Sequence, residues 1–172
     1  LHGIVFERSE WNDDFYVTCF VHFLTIRDDF FAIGFGERMR RSDVPGDTFW
    51  VTPAESEAEK LLQAMRNSAY SPLNLKPTCK RILELSNIEE EGAHSLFGLA
   101  TCAIFEDNPD LARHFFALSR EEVGEPEYDW RRKLLGEIDE LERGLDDLVA
   151  TQMKLRGWVE ETIRMLGLQQ LG

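Results

Sequence analysis

The sequence predicts an α+β protein: a small N-terminal antiparallel sheet followed by a helical region with long C-terminal heptad-bearing helices. Three observations carry that expectation. Residues 15–26 alternate with period two, residues 95–119 place apolar side chains at helical spacing around an Asn-Pro junction, and no proline follows Pro126. The chain has 172 residues, 43% hydrophobic and 30% charged. That length suits one domain, or one domain with an appendage. The expected division is an α+β domain over residues 1–125, with sheet over 1–51 and helices over 52–125. Residues 126–172 then form a long helix or helical hairpin that doubles as a coiled-coil arm.

In chain order the first fifty residues read as sheet. Ile4-Val5-Phe6 is a short apolar run, and residues 10–14 are a polar turn. Beyond it Phe15, Val17, Cys19, Val21 and Phe23 are all apolar, whereas Tyr16, Thr18, Phe20, His22 and Leu24 are mixed. Such a strand has one fully apolar face and a second that is partly covered. Arg27-Asp28-Asp29 turns the chain into residues 30–35, so an antiparallel hairpin is expected. Pro45-Gly46 marks a second turn before Phe49-Trp50-Val51.

The pattern then becomes helical. Thr52 is a candidate N-cap, with Pro53 at the first helical position and Glu55 completing a capping box. Leu61, Leu62 and Met65 supply the stripe, and Ser71-Pro72 and Lys76-Pro77 bracket a loop. Helices are expected over residues 78–86 and 88–105. Asn108 caps the next at Pro109, so residues 95–105 and 109–119 read as an αα-hairpin with a short polar connection. From residue 126 onward, steps of four and three link Leu134, Ile138, Leu141, Leu145 and Leu148, then Gln152, Leu155 and Val159. This is a heptad seam with one polar interruption. Unbroken, residues 126–171 would span about 69 Å. Gly157 is the expected break, and the seam serves either two antiparallel helices packed on the domain or an arm that meets a partner.

Charge narrows the function. There are 32 acidic against 19 basic side chains, a net charge of −13, which opposes binding to nucleic-acid phosphates. No apolar run approaches the ~20 residues of a membrane-spanning helix, so no membrane partner is expected. Residues 121–147 concentrate the acids, eleven against Arg131, Arg132, Lys133 and Arg143. Beyond solubility, such a face steers a basic protein partner. Glu137, Asp139, Glu140, Glu142, Asp146 and Asp147 are the candidate partner-binding residues. The basic cluster Arg38-Met39-Arg40-Arg41 reads as structural or solvated.

No chemical constellation stands out. Gly34-Phe35-Gly36 lacks the third glycine of a dinucleotide loop. Glu91 and His94 share the Glu-x-x-His spacing of di-metal bundles, but no second unit accompanies them, and no metal or cofactor is expected. His22 lies on the opposite strand face from Cys19, which makes that pair a poor dyad. No catalytic residue is nominated, and the reading leans away from an enzyme. Cys19, Cys79 and Cys102 are widely spaced among apolar neighbours and read as reduced, buried thiols of a cytoplasmic protein. Glu7, Arg8 and Glu10 interrupt the first apolar stretch, unlike a secretory leader. The start at Leu1, inside a strand-like pattern, reads as a missing natural beginning.

Phe6-Glu7-Arg8-Ser9-Glu10-Trp11, Phe15-Tyr16-Val17-Thr18, Phe20-Val21-His22-Phe23, Gly36-Glu37-Arg38 and Phe49-Trp50 before Pro53 together resemble a bacterial domain family of unknown function with an N-terminal antiparallel sheet. The resemblance covers about the first 70 residues. Glu7-Arg8 stand where that family has glutamine and lysine, and its preceding helix and strand are missing. It implies an α+β fold and brings no catalytic residues with it. The function expected is an acidic cytosolic protein-binding module, specifically an immunity- or antitoxin-like inhibitor of a basic protein. A self-associating structural subunit is the alternative, and an enzyme with a noncontiguous site is the third reading.

Overall fold

A computed structural model describes residues 1–8, 15–27, 35–40, 49–50, 55–68 and 78–168. The protein is α+β. Its elements run β1 (His2–Arg8), β2 (Phe15–Val21), β3 (Phe35–Arg38), β4 (Phe49–Trp50), α1 (Glu55–Asn67), α2 (Cys79–Leu85), a 3₁₀ turn (Ile88–Glu90), α3 (Ala93–Phe105), α4 (Pro109–Val123), α5 (Asp129–Arg143) and α6 (Leu148–Met165). They form two compact units: Leu1–His22 with Ile33–Pro77, and Phe23–Ala32 with Thr78–Gly172. α5 and α6 share a unit with α2, α3 and α4.

In the first unit β2 is the central strand. It pairs antiparallel with β1 along its length, Ile4 opposite Cys19, and on its other edge with β3 and β4, Cys19 opposite Glu37 and Tyr16 opposite Phe49. The odd-numbered face is the buried one, as the alternation predicts. Val17, Cys19 and Met39 pack with Met65 of α1, and Ile4, Phe15, Leu61 and Ala64 close around them. On the other face Arg38 lies over the Tyr16 ring, 4.3 Å to its centroid, and 3.9 Å from Glu7. Of the basic cluster, Met39 is thus core, Arg38 and Arg40 are exposed, and Arg41 lies outside the described residues. The Thr52–Pro53 cap, the turn at Pro45-Gly46, the loop at Pro72 and Pro77 and the strand expected over residues 30–34 also lie outside them.

The strand expected over residues 15–26 ends at Val21. Residues 23–27 belong to the second unit, where Phe23, Thr25, Ile26 and Arg27 each find a specific seat. The Phe23 ring lies against Gly98 of α3, so close that a Cβ there would stand 2.2 Å from a ring carbon. Thr25 Oγ1 is 2.9 Å from Thr101 Oγ1, and the Ile26 carbonyl accepts from Thr162 Oγ1 at 3.3 Å. Apolar alternation continues through this segment, but helices, not strands, receive it.

α3 organises the second unit. Eleven of its thirteen residues are buried, as expected of a helix apolar on all sides. α4 returns alongside it after a three-residue connection, with Phe97 and Phe116 rings 6.0 Å apart. Asp107 turns the chain at φ 54°, the Asn108 amide donates to the Ala103 carbonyl, and Asn108 caps α4 through Leu111 N–H at 3.0 Å. The αα-hairpin is present as the Asn-Pro signal predicts.

The C-terminal pattern is two helices, and the break is not at Gly157. α5 ends at Gly144, whose carbonyl accepts from Thr151 Oγ1 at 2.6 Å, and Asp147 caps α6 through Ala150 N–H. Gly157 lies exposed inside α6 with no atom within 4 Å of where its Cβ would be. Leu134, Ile138, Leu141, Leu145 and Leu155 are all buried within the one chain. Gln152, the polar interruption, donates to the Ile104 carbonyl at 2.8 Å and to Asp107 at 2.9 Å. Among the described residues no helix is long and apolar enough to cross a membrane.

Candidate protein-binding surface

The acidic C-terminal helices were the expected surface, and the structure places each nominated carboxylate in the second unit. Glu137 is turned inward. Only 6% of its side chain is exposed, and Arg27 Nε and Nη2 both donate to its Oε1, at 3.1 and 2.9 Å. The Arg27 guanidinium also lies over the Trp158 ring, 4.0 Å to the centroid, and its carbonyl accepts from Lys133. This arrangement fastens residues 23–27 to α5 and α6. Glu137 is therefore an internal counter-charge and not part of a surface, because helical periodicity turns it toward the same side as Leu134, Ile138 and Leu141.

The other five are at the surface, and each already has an intramolecular partner. Asp139 and Glu142 of α5 both bind Arg120 of α4. Burial pushes the Arg120 guanidinium's pKa down, but its bonds to the two carboxylates outweigh that and raise it above the usual arginine value. Glu140 accepts from Lys154 of α6 at 2.8 Å, which holds its carboxyl below the ordinary range. Asp146 pairs with Arg113, and Asp147 is the α6 cap. Asp139, Glu142 and Arg143 line an open depression of about 360 Å³. A basic partner at this face must compete with cations of the chain itself.

A neighbouring stretch is different. Glu121, Glu122, Glu125 and Glu127, at the end of α4 and in the link to α5, are exposed, and none forms an ion pair among the described residues. They adjoin two exposed aromatic side chains, Tyr128 at 56% and Trp130 at 43%. Arg131 lies 5.2 and 5.3 Å from the two ring centroids and donates to the Glu125 carbonyl, which holds the link in place. His94 packs on Trp130 at 5.3 Å between centroids. Glu91 ends the 3₁₀ turn ahead of α3, so it and His94 do not share a helical face. Sequence reading counted these four glutamates in the acidic segment without singling them out. The available signal was the Gly124–Pro126 interruption, which takes Glu125 and Glu127 off the helices and ends α4 just after Glu121 and Glu122.

Elsewhere, a cleft of about 160 Å³ in the first unit is lined by Glu37, Met39, Arg40, Gln63, Asn67 and Ser68, with Ser68 Oγ donating to Glu37 at 2.7 Å. Among the described residues no group of three or more His, Cys, Asp or Glu side chains is placed to hold a metal ion. No family model, no curated protein and no solved structure matches the chain.

Proposed function

We propose that the protein is a cytoplasmic protein-binding module that recognises a basic partner, in the manner of an immunity or antitoxin protein. The observation that carries this reading is the run of four exposed glutamates, without an ion pair among the described residues, beside Tyr128 and Trp130. Carboxylates at that density raise the encounter rate of a cationic surface, and exposed tyrosine and tryptophan supply both contact area and cation–π acceptors. The face of Asp139, Glu140, Glu142 and Asp146 extends the negative field, screened by its own arginines and lysine. A reducing compartment suits three cysteines held as free thiols.

The test is affinity capture from cell extract with the full chain as bait, at low and high salt, beside the variant E121K/E122K/E125K/E127K. A basic protein retained at low salt, released by salt and lost to the variant supports the proposal. Recovery of no partner, or of one indifferent to salt and to charge reversal, overturns it.

One observation favours the alternative of a self-associating subunit. Val149 and Met153 stand one turn apart on α6, each 69% exposed. If α6 joins copies, light scattering shows a mass above the monomer that falls for Val149→Lys with Met153→Lys.

A further inference from the structure

The three cysteines are not equivalent. Cys19 is wholly buried in the first unit, with its Sγ 3.8 Å from Met39 Sδ. Cys79 and Cys102 are in the second unit and lie against each other, thiol to thiol. The backbone explains why. α2 packs along α3, and the Lys80 amide, next in chain to Cys79, donates to Glu106 Oε1 at 3.2 Å. Glu106 is one helical turn beyond Cys102, so this bond holds the start of α2 against the end of α3. Cys79 is half-buried, whereas Cys102 is buried.

We propose that Cys79 and Cys102 form a peroxide-oxidised dithiol that closes to an intrachain disulfide, with Cys79 attacking and Cys102 resolving. The division of roles follows from exposure, since a small solute meets the half-buried Cys79 sulfur before the buried Cys102. The hydrogen bond from Cys102 lowers the Cys79 thiol from its ordinary value, outweighing burial and the Glu106 charge, which both raise it. The same bond, then burial, then the charges of Cys79 and Glu106, push the Cys102 thiol far up. The reactive form is the thiolate. Its sulfur attacks one oxygen of hydrogen peroxide, the O–O bond breaks, and hydroxide leaves and is protonated to water. The Cys102 sulfur then attacks the sulfenic sulfur of Cys79. The S–O bond breaks, and the departing hydroxide takes the Cys102 proton as a second water. Two thiols and one peroxide thus become one disulfide and two waters, with both electrons supplied by sulfur. The bond would tie the start of α2 to α3 and is reversed by thiol exchange in a reducing cell.

The reduced full-length protein is treated with equimolar hydrogen peroxide, denatured, alkylated, and its intact mass and peptides are measured without reductant. The expected result is a fall from three alkyl labels to one, on Cys19, with a linked Cys79–Cys102 peptide from a monomer, and return to three after reduction. Cys102→Ser is expected to stop at a Cys79 sulfenic acid trapped by dimedone, and Cys79→Ser to keep both remaining thiols. Three labels retained, a Cys79-linked dimer, or oxidation of Cys19 ahead of Cys79 overturns the proposal. The linked peptide is read in the unsubstituted chain, so it decides the matter even where a serine variant fails to fold.

Discussion

Arg27 and Glu137 show how one buried charge constrains its neighbours. A carboxylate with 6% exposure needs compensating charge and donors, and Arg27 supplies a charge and two N–H donors. Arg27→Ala should therefore destabilise by about 3–5 kcal/mol in urea melts, because it takes a charge and two N–H donors away from a buried carboxylate. Adding Glu137→Met should recover much of that loss, which a double-mutant cycle reads directly. Glu140 marks the opposite case of a partner held in water. Its folded-state carboxyl is depressed, chiefly by the hydrogen bond from Lys154. Its contribution is thus complete above the unfolded-state value and disappears as pH falls through the folded one. With both side chains at least 40% exposed, Glu140→Gln should cost only about 0.2–1 kcal/mol at pH 7. The difference between variant and parent should close in melts run below the carboxylate range.

At the scale of elements, two kinds of glycine separate. Gly98 is where the Phe23 ring meets α3, and Gly98→Ala should cost about 1–3 kcal/mol through overpacking. Phe23→Leu in the same chain should soften the penalty. Gly136 and Gly157 sit exposed in α5 and α6 with open space at the Cβ position. Replacing both by alanine should stabilise by about 1 kcal/mol each, seen as a higher Tm, since only helix propensity changes. The contrast bears on legibility. Asn108-Pro109 announced its helix start because capping and a fixed proline φ act within one turn. The α5–α6 break was hidden because Leu141, Leu145 and Leu148 keep heptad spacing straight through it. What stops α5 is Gly144 in close contact with Thr151, a side chain seven residues on in the next helix.

For the whole molecule, the interleaving of the chain matters most. It leaves the first unit after His22, gives residues 23–32 to the second, and returns at Ile33. A fragment of residues 78–172 thereby lacks Arg27 and Phe23, and with them two N–H donors to Glu137 and the ring against Gly98. It should melt well below the same fragment supplied with a peptide of residues 23–32, as followed by circular dichroism. The charge reading belongs to this scale too. Composition alone disclosed a net charge of −13, but not which acids are available to a partner. Asp139, Glu142 and Asp146 are paired with Arg120 and Arg113, nineteen to thirty-three residues away, whereas the glutamates of residues 121–127 have no ion pair among the described residues.

By itself the sequence determined the α+β class, the buried face of β2, the α3–α4 hairpin and the acidic character of the last helices. Periodicity, capping and net charge are local or additive properties, so they survive reading along the chain. Tertiary structure alone decided that residues 23–27 leave the sheet for the helices, that Glu137 is an inward counter-charge, and that Cys79 meets Cys102. Each of those depends on which distant side chain occupies the adjoining space, and an apolar or charged residue viewed in one dimension carries no record of its partner.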